Sequence, residues 1–291
     1  MTHPSSCRAR RGLTYVEVLV VVLLLVVLVA FLLPSCNRVH HGDELVKCAS
    51  NLRQIGLAIL LYSNENQRAY PHVRATTGPS VLPVWGTGVA ATNPFADDGP
   101  QPNDVTAALF LLLRTQDITS EVFNCPSTDL QKDTYGGGDR NPMSQSNFTD
   151  WRKHLSYSYQ NPYPDDAAVK DGFKLNNSIS AEFAVAADMN PGVSGESGGV
   201  TDNVLGPTPA SSAREMKPAN SPNHDRDGQN VLFGDGHVEF LQNPFVGIQR
   251  NHIYTRSGPR GKPTDPPTND AQDPFGSPRD ANDSVLLPTD D

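Results

Sequence analysis

Positive charge is in short supply: 23 Lys and Arg stand against 32 Asp and Glu, and the formal net charge is −9 at pH 7. Beyond the N-terminal Arg8, Arg10 and Arg11 the basic side chains do not cluster. A nucleic-acid surface requires a basic stripe or patch, so nucleic acid is not an expected partner. The metalloprotease motif His-Glu-x-x-His is missing as well, and the eight His are scattered, so no pairing of a nucleophile with a base is marked. The chain is therefore not expected to be an enzyme. No solenoid-type repeat is present. Cysteine is sparse, with four in 291 residues.

Long apolar runs are few, but the first one is decisive. Gly12-Leu13-Thr14-Tyr15-Val16-Glu17 follows the three arginines, and residues 18–33 then carry no charged or polar side chain. At ~1.5 Å per residue, residues 13–33 match a hydrocarbon core of ~30 Å, which predicts a transmembrane helix. Basic residues precede the run and Asp43 and Glu44 follow it. The positive-inside bias then leaves residues 1–12 in the cytoplasm and exports the remainder, as a single-pass protein of the inner membrane with a periplasmic head. A secretory signal would have a shorter apolar core and a small-x-small site after it, which Leu32-Leu33-Pro34 does not offer. Glu17 is the odd residue. A carboxylate in such a helix costs up to ~3 kcal/mol at the bilayer centre and less near its end, so it calls for compensation.

This order of Gly, an apolar residue, Thr, two apolar residues, Glu and an apolar helix resembles the N-terminus of type IV prepilins and type II secretion pseudopilins. The resemblance implies cleavage by a prepilin peptidase after Gly12, with Leu13 as the new, methylated terminal residue. It also implies that Glu17 pairs with the amine of a neighbouring pilin-like subunit during assembly, an arrangement that offsets carboxylate burial. Leu13 stands where that family commonly has phenylalanine. The competing reading of the motif is an uncleaved signal anchor. Loss of residues 1–12 removes three positive charges and no acid, taking the formal charge from −9 to −12.

Cys7 lies in the expected leader, which leaves Cys36, Cys48 and Cys125 in an oxidising compartment. Cys36 and Cys48 are about 18 Å apart on one expected helix, whereas a disulfide needs Cα atoms within ~7 Å. Cys48 with Cys125 is the expected bridge, and three reduced thiols are the alternative.

After Pro34 the positions Leu45, Cys48, Ala49, Leu52, Ile55, Gly56, Ile59, Tyr62 and Ser63 follow helical three-and-four spacing, which predicts an amphipathic helix stopped by Tyr70-Pro71. Asn103 or Asp104 is a candidate cap for a helix through Leu113. Ser156-Tyr157-Ser158-Tyr159 and Phe183-Ala184-Val185-Ala186-Ala187 read as strands, and residues 229–233 and 237–241 read as a hairpin about Gly234-Asp235-Gly236. The expected fold is α+β and, by the pilin resemblance, a long N-terminal helix packed on an antiparallel sheet. The expected organisation is a leader (1–12), transmembrane helix (13–33), amphipathic continuation (34–69), exported head (70–256) and a largely disordered tail (257–291). The tail expectation rests on its seven Pro and seven Asp.

Asn223-His224 and the segment from Asn230 through Asp235-Gly236-His237 to Phe240 resemble the C-terminal His…Asp-Gly signature of a large bacterial family of prepilin-like proteins whose domain has no established function. Cys48-Ala49-Ser50-Asn51-Leu52-Arg53-Gln54, Asn124-Cys125-Pro126-Ser127 and Asn251-His252-Ile253-Tyr254-Thr255 are similar to its other landmarks. Separately, Asp225-x-Asp227-Gly228-x-Asn230 has the oxygen spacing of a short calcium loop, to which Asp188 and Asp235 could add carboxylates. The resemblance to secretion pseudopilins also implies a calcium loop near the C-terminus. Against it, Asp-Gly pairs occur in turns for conformational reasons. His224 and His237 are expected to bond turn backbone rather than hold zinc, since zinc normally wants three or four ligands and no Cys is positioned to help. The leading function is thus a structural or accessory subunit of a pilus or pseudopilus. The alternative is a membrane-anchored binding module for an exported polymer or partner protein.

Overall fold

The computed structural model describes residues 14–197, 199–259 and 268–290, with side chains for all of these except 30–41 and 196–197. The chain divides into two compact units, Met1–Asp43 and Glu44–Asp291. Helix α1 (Tyr15–Glu65) contributes to both.

In the first unit, the Thr14 N–H and hydroxyl donate to Glu17 Oε2 at 2.7 and 2.9 Å, and the Glu17 N–H donates to Thr14 Oγ1 at 3.3 Å. This reciprocal box satisfies donors that a helix start leaves open. Every described apolar side chain that follows, from Tyr15 to Val29, is exposed. Helical backbone continues through Pro34 instead of ending there. Among the described residues no helix is long and apolar enough to cross a membrane. The described side chains of the apolar run stop at Val29, before its end. Gly12, Leu13 and Cys7 lie outside the described residues, as does the Cys36 side chain.

The second unit is α+β. Over residues 44–65, α1 buries Cys48, Leu52, Ile55, Ala58, Ile59 and Tyr62, the stripe that helical periodicity requires. The helix stops at Glu65, and the turn that ends it has Gln67 and Arg68 at φ 53° and 71°. There the Arg68 N–H donates to Ser63 O at 2.8 Å, satisfying a carbonyl of the last turn. Helix α2 (Val105–Thr115) is buried continuously through Leu113. Its cap is Asp104, which accepts from the Ala107 N–H at 2.8 Å and from Thr87, Thr106 and Asn147. Those donors satisfy a wholly buried carboxylate.

The main sheet comprises β1 (Tyr157–Gln160), β2 (Ala184–Asp188), β5 (Gln229–Phe233), β6 (Val238–Leu241) and β7 (Leu286–Leu287). Two short strands, β3 (Glu196–Ser197) and β4 (Val200–Thr201), pair separately. The order is β6-β5-β2-β1-β7, antiparallel throughout. Along β5, Leu232 joins the core shared with α1 and α2, whereas Val231 and Phe233 join a second cluster with Ile253 and Tyr254. That is the alternation a strand covered on both faces must show. On β2 the alternation slips: Val185 and Ala186 both face the first cluster. The pairing register with β5 shifts between Ala184 and Ala186, so a bulge supplies the extra residue. A Cβ on Gly56 would lie 2.9 Å from Leu232 Cδ1. Glycine therefore lets α1 approach β5 closely. The β5–β6 turn is closed by the Phe233 N–H donating to His237 O at 3.0 Å, with Gly236 at φ 88°.

The C-terminal segment corrects the expectation of a disordered tail over residues 257–291. Val285, Leu286 and Leu287 are fully buried, and β7 forms the sheet edge beside β1. A low average hydropathy hid three consecutive apolar residues, enough to complete a strand. Polar groups buried beside them are paired through Asp283, which accepts from Asn251, Ser257 and Arg279, and through the Val285 N–H, which donates to Gln160. The head thus extends past residue 256 and takes in residues 268–290.

Candidate functional site

Four residues distant in sequence meet where β2 ends and β1 and β5 begin: Cys48, Cys125, Asp188 and His224. All are buried, and their sulfur, oxygen and nitrogen ligand atoms lie within 4.8 Å of one another. Among the described residues, they are the one set of three or more His, Cys, Asp or Glu side chains that converges in this way.

Each is held by local structure. Cys48 sits on the buried stripe of α1. Cys125 follows a short 3-10 turn (Ser120–Phe123), and its N–H donates to Ser156 Oγ at 2.9 Å while Asn51 on α1 donates to the neighbouring Asn124 carbonyl. Asp188 is the last residue of β2. His224 closes a 3-10 turn (Pro222–His224) whose cap, Ser221, accepts from the Asn223 N–H. Cys48 and Cys125 form a disulfide with Cα atoms 5.1 Å apart, closing a separation of 77 residues.

Polar order around the four is dense. Asp188 Oδ2 accepts from the Asn230 N–H at 2.6 Å and from Asn230 Nδ2 at 3.2 Å, and Oδ1 accepts from Asn223 Nδ2 at 3.3 Å. Those donors make a fully buried carboxylate tolerable. His224 Nε2 lies 3.2 Å from Asp188 Oδ2 and 3.7 Å from Cys125 Sγ, and Nδ1 lies 2.9 Å from Ser127 Oγ. Asn230 Nδ2 is 3.2 Å from Nε2, so the imidazole touches Asp188, Cys125 and Asn230 through Nε2 and Ser127 through Nδ1. The Tyr157 hydroxyl donates to Cys48 Sγ at 3.2 Å. Burial and the Asp188 charge push the Tyr157 hydroxyl well above its ordinary pKa, which keeps that proton in place. Tyr254 donates to the Asp188 carbonyl at 2.8 Å.

Two cavities flank the Cys125–Ser127 segment. One of about 810 Å³ is lined by Lys47, Asn51, Glu121 and Cys125 among others. A second, of about 240 Å³, is bordered by Ser127, Ser156 and Asn223.

The proposed calcium ligands do not gather. Asp188 and Asn230 meet inside the head, but Asp227 pairs with Lys217 Nζ at 2.7 Å, and Asp225 is the left-handed residue ending the His224 turn. Asp235 is on the hairpin tip, where its carboxylate accepts from the His237 N–H and stays low in pKa through that bond. Gly228 has a conformational reason of its own: a Cβ there would lie 2.5 Å from the Leu241 carbonyl. The expectation that His224 bonds turn backbone away from any cysteine is also corrected, since the fold brings Cys125 to it. His237 instead stacks on Phe233, with ring centroids 4.6 Å apart.

The Cys-Asp-His convergence was invisible as a motif, because its members are separated by dozens of residues. A usable signal existed all the same: Cys48, Cys125 and His224 each fall within a separate landmark segment. No protein family, characterised protein or solved structure matches the chain.

Proposed function

We propose that this protein is a prepilin-like subunit, anchored in the inner membrane by residues 13–33 and processed after Gly12, whose α+β head assembles in a type IV pilus or secretion pseudopilus. The observation that carries the reading is the uniformly exposed apolar face of α1 from Tyr15 to Val29, headed by the Thr14–Glu17 box. A helix apolar all round is stable only in lipid or among other helices. Farther along, Val46, Leu57 and Leu61 are also exposed on α1, giving the head's helix an apolar strip for neighbouring subunits. In this reading Glu17 exchanges its Thr14 donors for the terminal amine of an adjacent subunit.

The test is Glu17→Ala in cells with the pilus or secretion apparatus. The variant should reach the membrane in normal amount and lose at least ~10-fold of the sheared filament fraction. Filaments at wild-type level would refute the subunit reading and favour an anchored binding module.

A further inference from the structure

We propose that Cys48, Cys125, Asp188 and His224 form a four-coordinate site for a zinc-class divalent cation when the two cysteines are reduced. The site lies entirely in the unit Glu44–Asp291, so it stands whether or not the chain assembles into filaments.

The geometry is that of a collapsed tetrahedron. Metal distances of about 2.3 Å to sulfur and 2.0–2.1 Å to nitrogen or oxygen place neighbouring ligand atoms roughly 3.3–3.8 Å apart. Nε2 to Asp188 Oδ2 is 3.2 Å, Cys48 Sγ to Asp188 Oδ1 is 3.5 Å, and Cys125 Sγ to His224 Nε2 is 3.7 Å. These contacts engage one carboxylate oxygen each, Oδ2 for the imidazole and Oδ1 for Cys48, and the sulfur–sulfur edge is closed by the covalent bond. Two thiolates, one imidazole and one carboxylate are a soft set that selects zinc over calcium.

A structural disulfide accounts for two of the four residues. It gives no reason to bury a carboxylate and an imidazole against both sulfurs. Their second layer is that of a metal site: the Ser127 hydroxyl holds Nδ1 at 2.9 Å, which aims Nε2 inward, and the Asn223 and Asn230 amides orient the carboxylate. The cavity bordered by Cys125 and the one bordered by Ser127 provide access from solvent.

The chemistry balances with a dithiol as reductant. Thiol–disulfide exchange transfers two electrons and two protons to Cys48 and Cys125, and the donor becomes its own disulfide. The divalent cation then displaces the two thiol protons and binds both sulfurs as thiolates.

The full chain in detergent, reduced with a phosphine and desalted without oxygen, would be titrated with Co²⁺ and then Zn²⁺. The expected result is one Co²⁺ per chain with thiolate charge-transfer and tetrahedral visible bands, displaced by Zn²⁺, and no such bands from the disulfide form. Ser127→Ala leaves all four ligands and should weaken binding ~10- to 100-fold through loss of imidazole orientation, and Asp188→Asn should shift the visible bands. Three results would overturn the proposal: no bands from the reduced chain, equal binding by the oxidised chain, or reduction that unfolds the head by near-ultraviolet circular dichroism without rescue by Zn²⁺. Full binding by a Cys48→Ser, His224→Gln double variant would overturn it as well.

Discussion

Truncating a single leucine in the C-terminal strand tests whether residues 284–289 are structural. Leu286 and Leu287 are both 0% exposed; Leu286 packs with Val231, Ile253 and Tyr254, while Leu287 joins the α1 and α2 core on the opposite face. The Leu286 N–H also donates to Ile253 O at 2.9 Å, so the strand is held by backbone as well as side chain. Replacing a fully buried leucine by alanine costs ~3 kcal/mol once the residual cavity is included. For a domain of this size each kcal/mol moves the midpoint by roughly 2–4 °C. Leu286→Ala and Leu287→Ala should therefore each lower the melting temperature by about 6–12 °C. The assay is near-ultraviolet circular dichroism of the full chain in detergent, which reads packing around the buried tyrosines instead of total helix. Gln272→Ala, an exposed position in the same segment, is the control and should stay within roughly 1–2 °C of the parent. Midpoints for both leucine variants as close to the parent as the control would refute the reasoning.

Three further predictions rest on single groups. His252 is fully buried, and desolvation lowers its pKa from 6.5 to about 3. The unfolded chain thus binds a proton that the folded chain refuses, so this contribution is complete above pH 6.5 and is lost as pH falls toward 3. Asp283, raised by burial from 3.8 to about 6, acts in the opposite sense, its contribution being present below 3.8 and lost as pH rises through 6. Stability measured from pH 7 to 4.5 should fall less in His252→Asn than in the parent, and an identical fall would contradict the assignment. Gly228→Ala should destabilise by ~1–3 kcal/mol, because its Cβ meets the fixed Leu241 carbonyl; a neutral result in chemical denaturation would show that β6 yields there. Arg226 and Asp202 form a buried ion pair. Asp202→Ala should cost ~3–5 kcal/mol by stranding the guanidinium, and a loss below ~1 kcal/mol would show that water reaches it.

Local signals in the sequence were strong where one segment carried the whole pattern. The Cys48-to-Tyr62 stripe, the Asp104 cap, the β1 and β2 segments and the Gly234-Asp235-Gly236 turn all follow from spacing or turn chemistry within single short segments. What was not legible depends on pairing across the chain. Strand β7 is two residues long in a segment dominated by Pro and Asp, and its burial is decided by β1 and by the paired polar groups of Asp283 and Gln160. The metal-type cluster is illegible for the same reason: Asp188 ends a strand, His224 ends a turn, and only the sheet order brings them to Cys48 and Cys125. The calcium spacing misled because Asp225 and Asp227 serve a turn and an ion pair with Lys217, while Asn230 points inward to Asp188.

The central claim, a processed and assembled prepilin-like subunit, is tested most directly by the N-terminal residue of the mature chain. Intact-mass analysis would be made on the membrane and sheared surface fractions of cells that contain prepilin peptidase. The account predicts Leu13 at the terminus in both fractions, with or without a methyl group. An intact Met1 terminus in the membrane, with nothing in the sheared fraction, would contradict it.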